Sequence, residues 1–270
     1  MVLRPASNAG RQGAPDRTHR RDNASTRAVA PVTAHMEQVR RLFDEHAANW
    51  SARYAAGAPF EKRLARFAGP LESLAPSPAV VLDLGCGTGN LVCRLASSGY
   101  HAVGAEASAA MLEVARASTD APNVEWTLLD ANWQTLPYGT GSYDAVVASS
   151  LLEYVGHPAS IIAECARVLR PDGVFLCTVP DPRNRVRRTE AIWRALACGP
   201  VGWLRPIWPR RVRSYVDYLL LSKNRLPLDE WRSLARSVGL ECIALEENDE
   251  RHHPLALLAF RRRRCSSTFA

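Results

Sequence analysis

Ala79-Val80-Val81-Leu82-Asp83-Leu84-Gly85-Cys86-Gly87-Thr88-Gly89-Asn90 reads as a buried strand that runs into a glycine-rich turn and then a helix. The apolar run Ala79 to Leu82 is short and β-branched, as a parallel strand covered on both faces must be. Gly85, Gly87 and Gly89 follow at every second position. Glycines so spaced let the backbone turn sharply and approach a ligand with no Cβ in the way. Leu91, Val92 and Leu95 then recur at helical spacing, which puts that ligand at a helix N-terminus.

A glycine turn after a strand serves two chemistries. The dinucleotide fingerprint runs G-x-G-x-x-G, with a pyrophosphate on the helix N-terminus. Here the third glycine comes one residue early, and Asn90 holds the place of the last one. Asp83 discriminates further. A carboxylate two residues before the first glycine repels a pyrophosphate and attracts an ammonium group. S-adenosylmethionine carries an ammonium and a sulfonium, so Asp83 favours it over a nicotinamide dinucleotide.

Downstream, strand and helix patterns alternate, the signature of a parallel sheet with crossover helices. Tyr100 to Ala105 reads as a second strand ending at Glu106, and Val124 to Leu129 as a third ending at Asp130. Tyr143 to Ala148 and Val174 to Val179 read as the fourth and fifth. Ser108 is placed to cap the helix carrying Met111, Leu112 and Ala115. Ile161 to Leu169 reads as a helix stopped by the tight turn Arg170-Pro171-Asp172-Gly173. Glu106, 21 residues after Gly85, can accept hydrogen bonds from both hydroxyls of a ribose. That geometry serves NAD and S-adenosylmethionine equally.

Val81 to Gly89 closely resembles the first motif of class I S-adenosylmethionine-dependent methyltransferases. Leu128-Leu129-Asp130-Ala131 resembles the motif whose acid bonds the adenine amino group, and Tyr143 to Ser150 and Leu169 to Val174 resemble the family pattern around the fourth and fifth strands. The resemblance covers about residues 78 to 180. In layout it is most similar to the ubiquinone/menaquinone biosynthesis methyltransferases, which carry a methyltransferase type 11-like domain. It implies an α/β fold with a doubly wound, mostly parallel seven-stranded sheet, Rossmann-like, carrying an N-terminal helical cap and an insert after the fifth strand. It implies transfer of a methyl group from S-adenosyl-L-methionine to a small-molecule acceptor, and only the tryptophan-arginine insert described below favours a quinone-like or lipidic one. The cofactor residues carried over are Asp83, Gly85, Cys86, Gly87, Gly89, Glu106, Ala107, Asp130, Ala131 and Ser149. Glu106 replaces the commoner aspartate, and Asn132 to Thr135 lengthens the next loop, where Trp133 is placed to change how adenine is covered. Three alternatives stay open: a methyltransferase for a carrier-protein-bound acyl carboxylate, a non-catalytic cofactor-binding protein, and an NAD-dependent dehydrogenase.

The flanks divide as follows. Residues 1–30, without apolar periodicity, read as a disordered tail. Residues 31–75 read as the helical cap, with Tyr54 the cap residue chosen for the acceptor pocket. Residues 76–262 form the methyltransferase domain, with an insert at 181–226, and 263–270 a second tail. In the resembling family the loop Leu152 to Pro158 faces the methyl group, so Glu153 and His157 are the candidates for a base or acceptor contact. Leu240 to Leu245 and Leu255 to Phe260 read as an antiparallel edge hairpin, followed by a basic tail, Arg261 to Arg264.

Composition narrows the setting. The 270 residues suit one large domain with extensions. No window approaches the roughly 18 uncharged apolar residues of a spanning helix, and no apolar signal core opens the chain. The seven cysteines form no C-x-x-C pair or Cys/His cluster, which predicts reduced thiols, a cytoplasmic setting and no metal site. The net charge of +7 is uneven. Arg183, Arg185, Arg187, Arg188, Arg194, Arg205, Arg210, Arg211 and Arg213 crowd the insert, interleaved with Trp193, Trp203, Ile207 and Trp208. Such a stretch suits an anionic membrane surface, giving peripheral attachment, or an acidic carrier protein. No recognition motif accompanies it, so nucleic acid is not expected.

Overall fold

The computed structural model describes residues 22–55, 60–199, 202–245 and 253–264. Seven strands make one sheet: β1 (Val80–Leu84), β2 (His101–Glu106), β3 (Val124–Leu128), β4 (Tyr143–Ala148), β5 (Leu169–Pro180), β6 (Leu240–Ile243) and β7 (Leu255–Arg262). Their order is β3-β2-β1-β4-β5-β7-β6. The first five run parallel, while β7 pairs antiparallel with both β5 and β6. This is the doubly wound sheet with an antiparallel edge hairpin that the sequence predicts.

The strands read as apolar runs because both faces are covered. On one face Leu82, Val146 and Phe175 pack with Trp231 of α8 (Leu228–Ser237). On the other Val81, Val147 and Leu176 pack with Leu91 and Leu95 of α3 (Asn90–Ser97) and Phe67 of α2 (Glu61–Leu74). Two further crossover helices, α4 (Ala109–Arg116) and α5 (Pro158–Val168), complete the layers. Ser108 caps α4 as expected, its Oγ accepting from the Met111 N–H at 3.1 Å.

Three boundaries differ from the sequence reading. The cap helix α1 (Asp22–Trp50) begins inside the segment read as a disordered tail. Residues 22–30 are helical without an apolar period, so pattern reading had nothing to detect there; residues 1–21 lie outside the described ones. Arg170 to Gly173 is not a turn before the fifth strand but a bulge within it. Leu169 already pairs with Tyr143 and the register then jumps to Ala145↔Val174, with Asp172 at φ +65°. Nor is Arg261 to Arg264 a loose tail: Arg261 donates to Asp172 O and Arg262 to Arg167 O, while Arg263 pairs with Glu241 and Arg264 with Asp172. Residues 265–270 lie outside the described ones.

The glycine at the middle of β2 is set by packing. A Cβ on Gly104 would lie 2.5 Å from the Trp126 ring and 2.9 Å from Cys86 Sγ. Gly104→Ala is therefore expected to lower stability by about 1–3 kcal/mol, as overpacked cores do, measured by the midpoint of denaturant unfolding.

Candidate active site

β1 lies between β2 and β4, where the order of the sheet reverses, and ligands of open α/β sheets bind at that point beyond the strand ends. A cavity opens there, lined by the strand ends below and the helical cap above. Its floor is made by Asp83, Gly85, Cys86, Gly87, Glu106, Ala107, Ala131 and Ser149. Its roof comes from α1, α2, the 3-10 turn Ser51–Tyr54, and α7 (Arg210–Leu221) of the insert.

Asp83 ends β1 with its carboxylate inside the protein, 3% exposed, and Oδ1 buried without a hydrogen-bond partner. Burial and the nearby Glu106 push its pKa from 3.8 up to about 7. Glu106 is held differently. Its Oε2 accepts the Gly87 N–H at 2.9 Å, and its Oε1 accepts the N–H groups of Ala107 and Ser108 at 2.8 and 2.9 Å. Burial still moves its pKa upward, against these three bonds. The second strand-end acid thus fastens the glycine turn to the tip of β2. Gly87, at φ +56°, turns its Cα toward the indole nitrogen of Trp50 across the cavity, where a Cβ would lie 3.7 Å away.

The loop after β4 adds more unpartnered polar atoms. Ser149 and Ser150 both line the cavity, and both hydroxyl oxygens are buried without partners. Ser150 takes φ +56° while its N–H donates to Thr178 Oγ1 at 2.9 Å. Orphaned polar atoms in a buried site are costly unless a ligand satisfies them.

Several predicted residues fall elsewhere. Gly89 does not line the cavity; its φ is +76° and a Cβ would lie 2.4 Å from Trp126, so packing fixes it. Asp130 is exposed and accepts the Asn132 N–H at 2.8 Å, while its neighbours Leu129 and Ala131 reach the cavity. Trp133 lines the cavity too. Glu153 points away from it into a buried ion cluster. Ser222 Oγ donates to Glu153 at 2.6 Å, Arg187 stands 3.9 Å off, and Arg187 and Arg225 both hold Glu190, at 2.8 and 2.7 Å. His157 is exposed at the start of α5 and lines a separate, smaller pocket. Neither base candidate therefore reaches the cavity.

Tyr54 does reach it, in a wall of aromatic rings. Phe43 meets Trp50 and Tyr154 edge-on at 5.4 and 5.6 Å, and Tyr154 meets Tyr218 of α7 at 5.7 Å. Burial raises the pKa of Tyr54, Tyr154 and Tyr218, which keeps their hydroxyls protonated. Arg40 and Arg63 also line the cavity. Arg40 is neutralised by Glu37 and Asp44 at 2.5 and 2.6 Å. Arg63 has no carboxylate partner among the described residues and lies 4.0 Å over the Phe60 ring. The roof is pinned by His35 Nε2 donating to Tyr154 O at 2.8 Å and by Ser108 Oγ donating to Asp44 at 2.6 Å. Tyr218 and Arg63 escaped sequence reading because helical packing alone brings them to the strand ends.

A buried acid with an unpartnered oxygen, an acid beside a glycine turn, and aromatic walls make a concave site suited to a ligand bearing a cationic group. The residues fit S-adenosylmethionine: Asp83 Oδ1 is an orphaned acceptor where an ammonium is needed, and the glycine turn is open to the cavity. Residues 82–177 match the family model described as a methyltransferase domain. That segment is a methyltransferase domain. The chain is 29% identical to a ubiquinone biosynthesis O-methyltransferase of Maricaulis maris, over 59% of this chain and 61% of that one. It is 31% identical to a trans-aconitate 2-methyltransferase of an Azoarcus species, over 63% and 66% respectively. The chain thus spans under two thirds of the length of the curated relatives it matches. In fold it is similar to a SAM-dependent methyltransferase of Thermotoga maritima, with a TM-score of 0.56 at 15% identity, over 83% of this chain and 99% of that one.

Asp83 sets a test by pH. Its folded pKa of about 7 lies above its ordinary 3.8, so the unliganded fold favours the neutral carboxyl. That stability is lost as pH rises between those values. Asp83→Asn is expected to raise the unfolding free energy at pH 8 by on the order of 4 kcal/mol and to leave it nearly unchanged at pH 4, measured by denaturant unfolding. Affinity for S-adenosylhomocysteine should fall about tenfold to a hundredfold in the same variant.

Proposed function

We propose that this protein transfers a methyl group from S-adenosylmethionine to a small-molecule acceptor held under the helical cap. The observation that carries this is the buried Asp83 carboxylate, its Oδ1 without a partner, at the switch point of the sheet. When bound, the cofactor supplies an activated electrophilic methyl group. The protein's task is then to hold a nucleophile in line with it, and orientation alone can supply several kcal/mol of the barrier. Asp83 would hold the ammonium and Glu106 the ribose, with Leu129, Ala131 and Trp133 at the adenine end.

The roof serves the acceptor. Phe43, Tyr54, Tyr154 and Tyr218 offer ring faces and edges for a planar or apolar molecule and exclude water from it. Arg63 brings a charge without a carboxylate partner, suited to a carboxylate, which both an amino-acid cofactor and an acidic acceptor carry. Neither Glu153 nor His157 lines the cavity. The acceptor therefore has to arrive deprotonated or meet its base on another group. The relatives named above act in ubiquinone biosynthesis and on trans-aconitate. That breadth supports a small-molecule acceptor, and the insert's exposed tryptophan and arginine side chains favour a quinone-like or lipidic one.

Calorimetry should show S-adenosylmethionine and S-adenosylhomocysteine binding and NAD not binding. With methyl-labelled cofactor, label should pass to members of a panel of quinone precursors and fatty acids. NAD binding in place of the sulfonium cofactor would revive the dehydrogenase reading; cofactor binding without transfer to any acceptor would favour a non-catalytic protein.

A further inference from the structure

The insert after β5 presents a face that nothing in the described protein covers. It consists of α6 (Arg185–Cys198), a 3-10 segment (Gly202–Ile207) and α7. Trp203 and Ile207 are 76% and 77% exposed, and Ile192 on α6 is 61% exposed. Leu196, one turn after Ile192, is exposed as well. Trp193 meets Trp208 edge-on at 6.3 Å, which ties α6 to the 3-10 segment. Single exposed apolar residues need no explanation, but a concentration of them does.

Charge decides what covers that face. Of the ten arginines in the insert, Arg187 and Arg225 are used in the ion cluster, Arg194 in bonds to the Leu219 and Ser222 carbonyls, and Arg205 with Asp217. Arg188, Arg210 and Arg211 are exposed and have no ion pair among the described residues. The acids of α6 and α7 are accounted for: Glu190 is buried between Arg187 and Arg225, and Asp217 is held by Arg205. The exposed face therefore combines bulky apolar side chains with uncompensated cations, the complement of an anionic bilayer surface.

The base of the insert is rigid. The buried Glu153, Arg187 and Glu190, with the half-buried Arg225, lock it to the loop after β4, beside Tyr154. The same α7 whose N-terminal turn carries Arg210 and Arg211 sends Tyr218 into the cavity.

We propose that the insert docks this protein on an anionic lipid surface through Trp203, Ile207, Ile192, Arg188, Arg210 and Arg211. Together with the methyl-transfer reading, on which this last step rests, the surface assigns a membrane-partitioned acceptor. The docking itself is measured without turnover.

The test is co-sedimentation of the full chain with vesicles of phosphatidylcholine alone or mixed with phosphatidylglycerol. Binding is expected only to the mixed vesicles and should weaken with salt. Changing Arg188, Arg210 and Arg211 together to Ala should cost about a hundredfold in partition coefficient, at roughly fivefold per charge. Trp203→Ser with Ile207→Ser should abolish the blue shift of tryptophan emission on mixed vesicles, while S-adenosylhomocysteine affinity is retained. The proposal fails if mixed vesicles do not bind, or if the triple variant binds as well as the parent. It also fails if sedimentation equilibrium shows a dimer that the Trp203/Ile207 change dissociates, or if the face retains an acidic carrier protein but no vesicle.

Discussion

The carboxylate of Asp83 is buried at the end of the central strand with one oxygen unpartnered, and burial next to Glu106 holds its pKa near 7. A group like this costs the unliganded fold stability, and an apolar residue at the strand end would avoid that cost. Its neighbours are arranged to make the cost useful. Glu106 spends its oxygens on three backbone N–H groups, so it braces the glycine turn and leaves Asp83 as the unsatisfied acid. The turn then lies open to the cavity, and the cap closes over it through His35 and Asp44. The site suits a cation because Asp83 has no ion-pair partner among the described residues and its Oδ1 has no hydrogen-bond partner.

The floor of the site was legible in the sequence, and most of the roof was not. Parallel strands covered on both faces appear as short apolar runs, and an acid ending such a run lies at the ligand edge of the sheet by construction. Asp83 and Glu106 could therefore be placed from spacing alone. Gly89 shows the limit of that logic: it belongs to the motif, yet Trp126, 37 residues later, is what forbids a side chain there. Asp130 shows another, since a strand-end acid can be turned outward by its own loop, here through the Asn132 N–H.

Glu153 and the insert arginines share one explanation. Read as a sequence, Glu153 is an acid in a loop facing the chemistry, and the arginines are a run of surface charge. Folding brings Arg187 of α6 and Arg225 beyond α7 against Glu153 and Glu190, and converts both into one buried cluster. Only long-range contacts, at separations no local pattern encodes, reveal that exchange. The side chains that remain for the acceptor, Tyr54, Tyr154, Tyr218 and Arg63, come from four separate segments and converge only in the folded protein.

The central claim is that Asp83 waits, partly protonated, for a cationic group. Proton release on ligand binding measures this directly. S-adenosylhomocysteine would be titrated into the protein at pH 7 in buffers that differ in ionisation enthalpy. With a pKa of about 7 before binding and a far lower one afterwards, about half a proton should be released per ligand, and none from the Asp83→Asn variant. Binding that releases no proton, or the same release from the variant, would contradict the account.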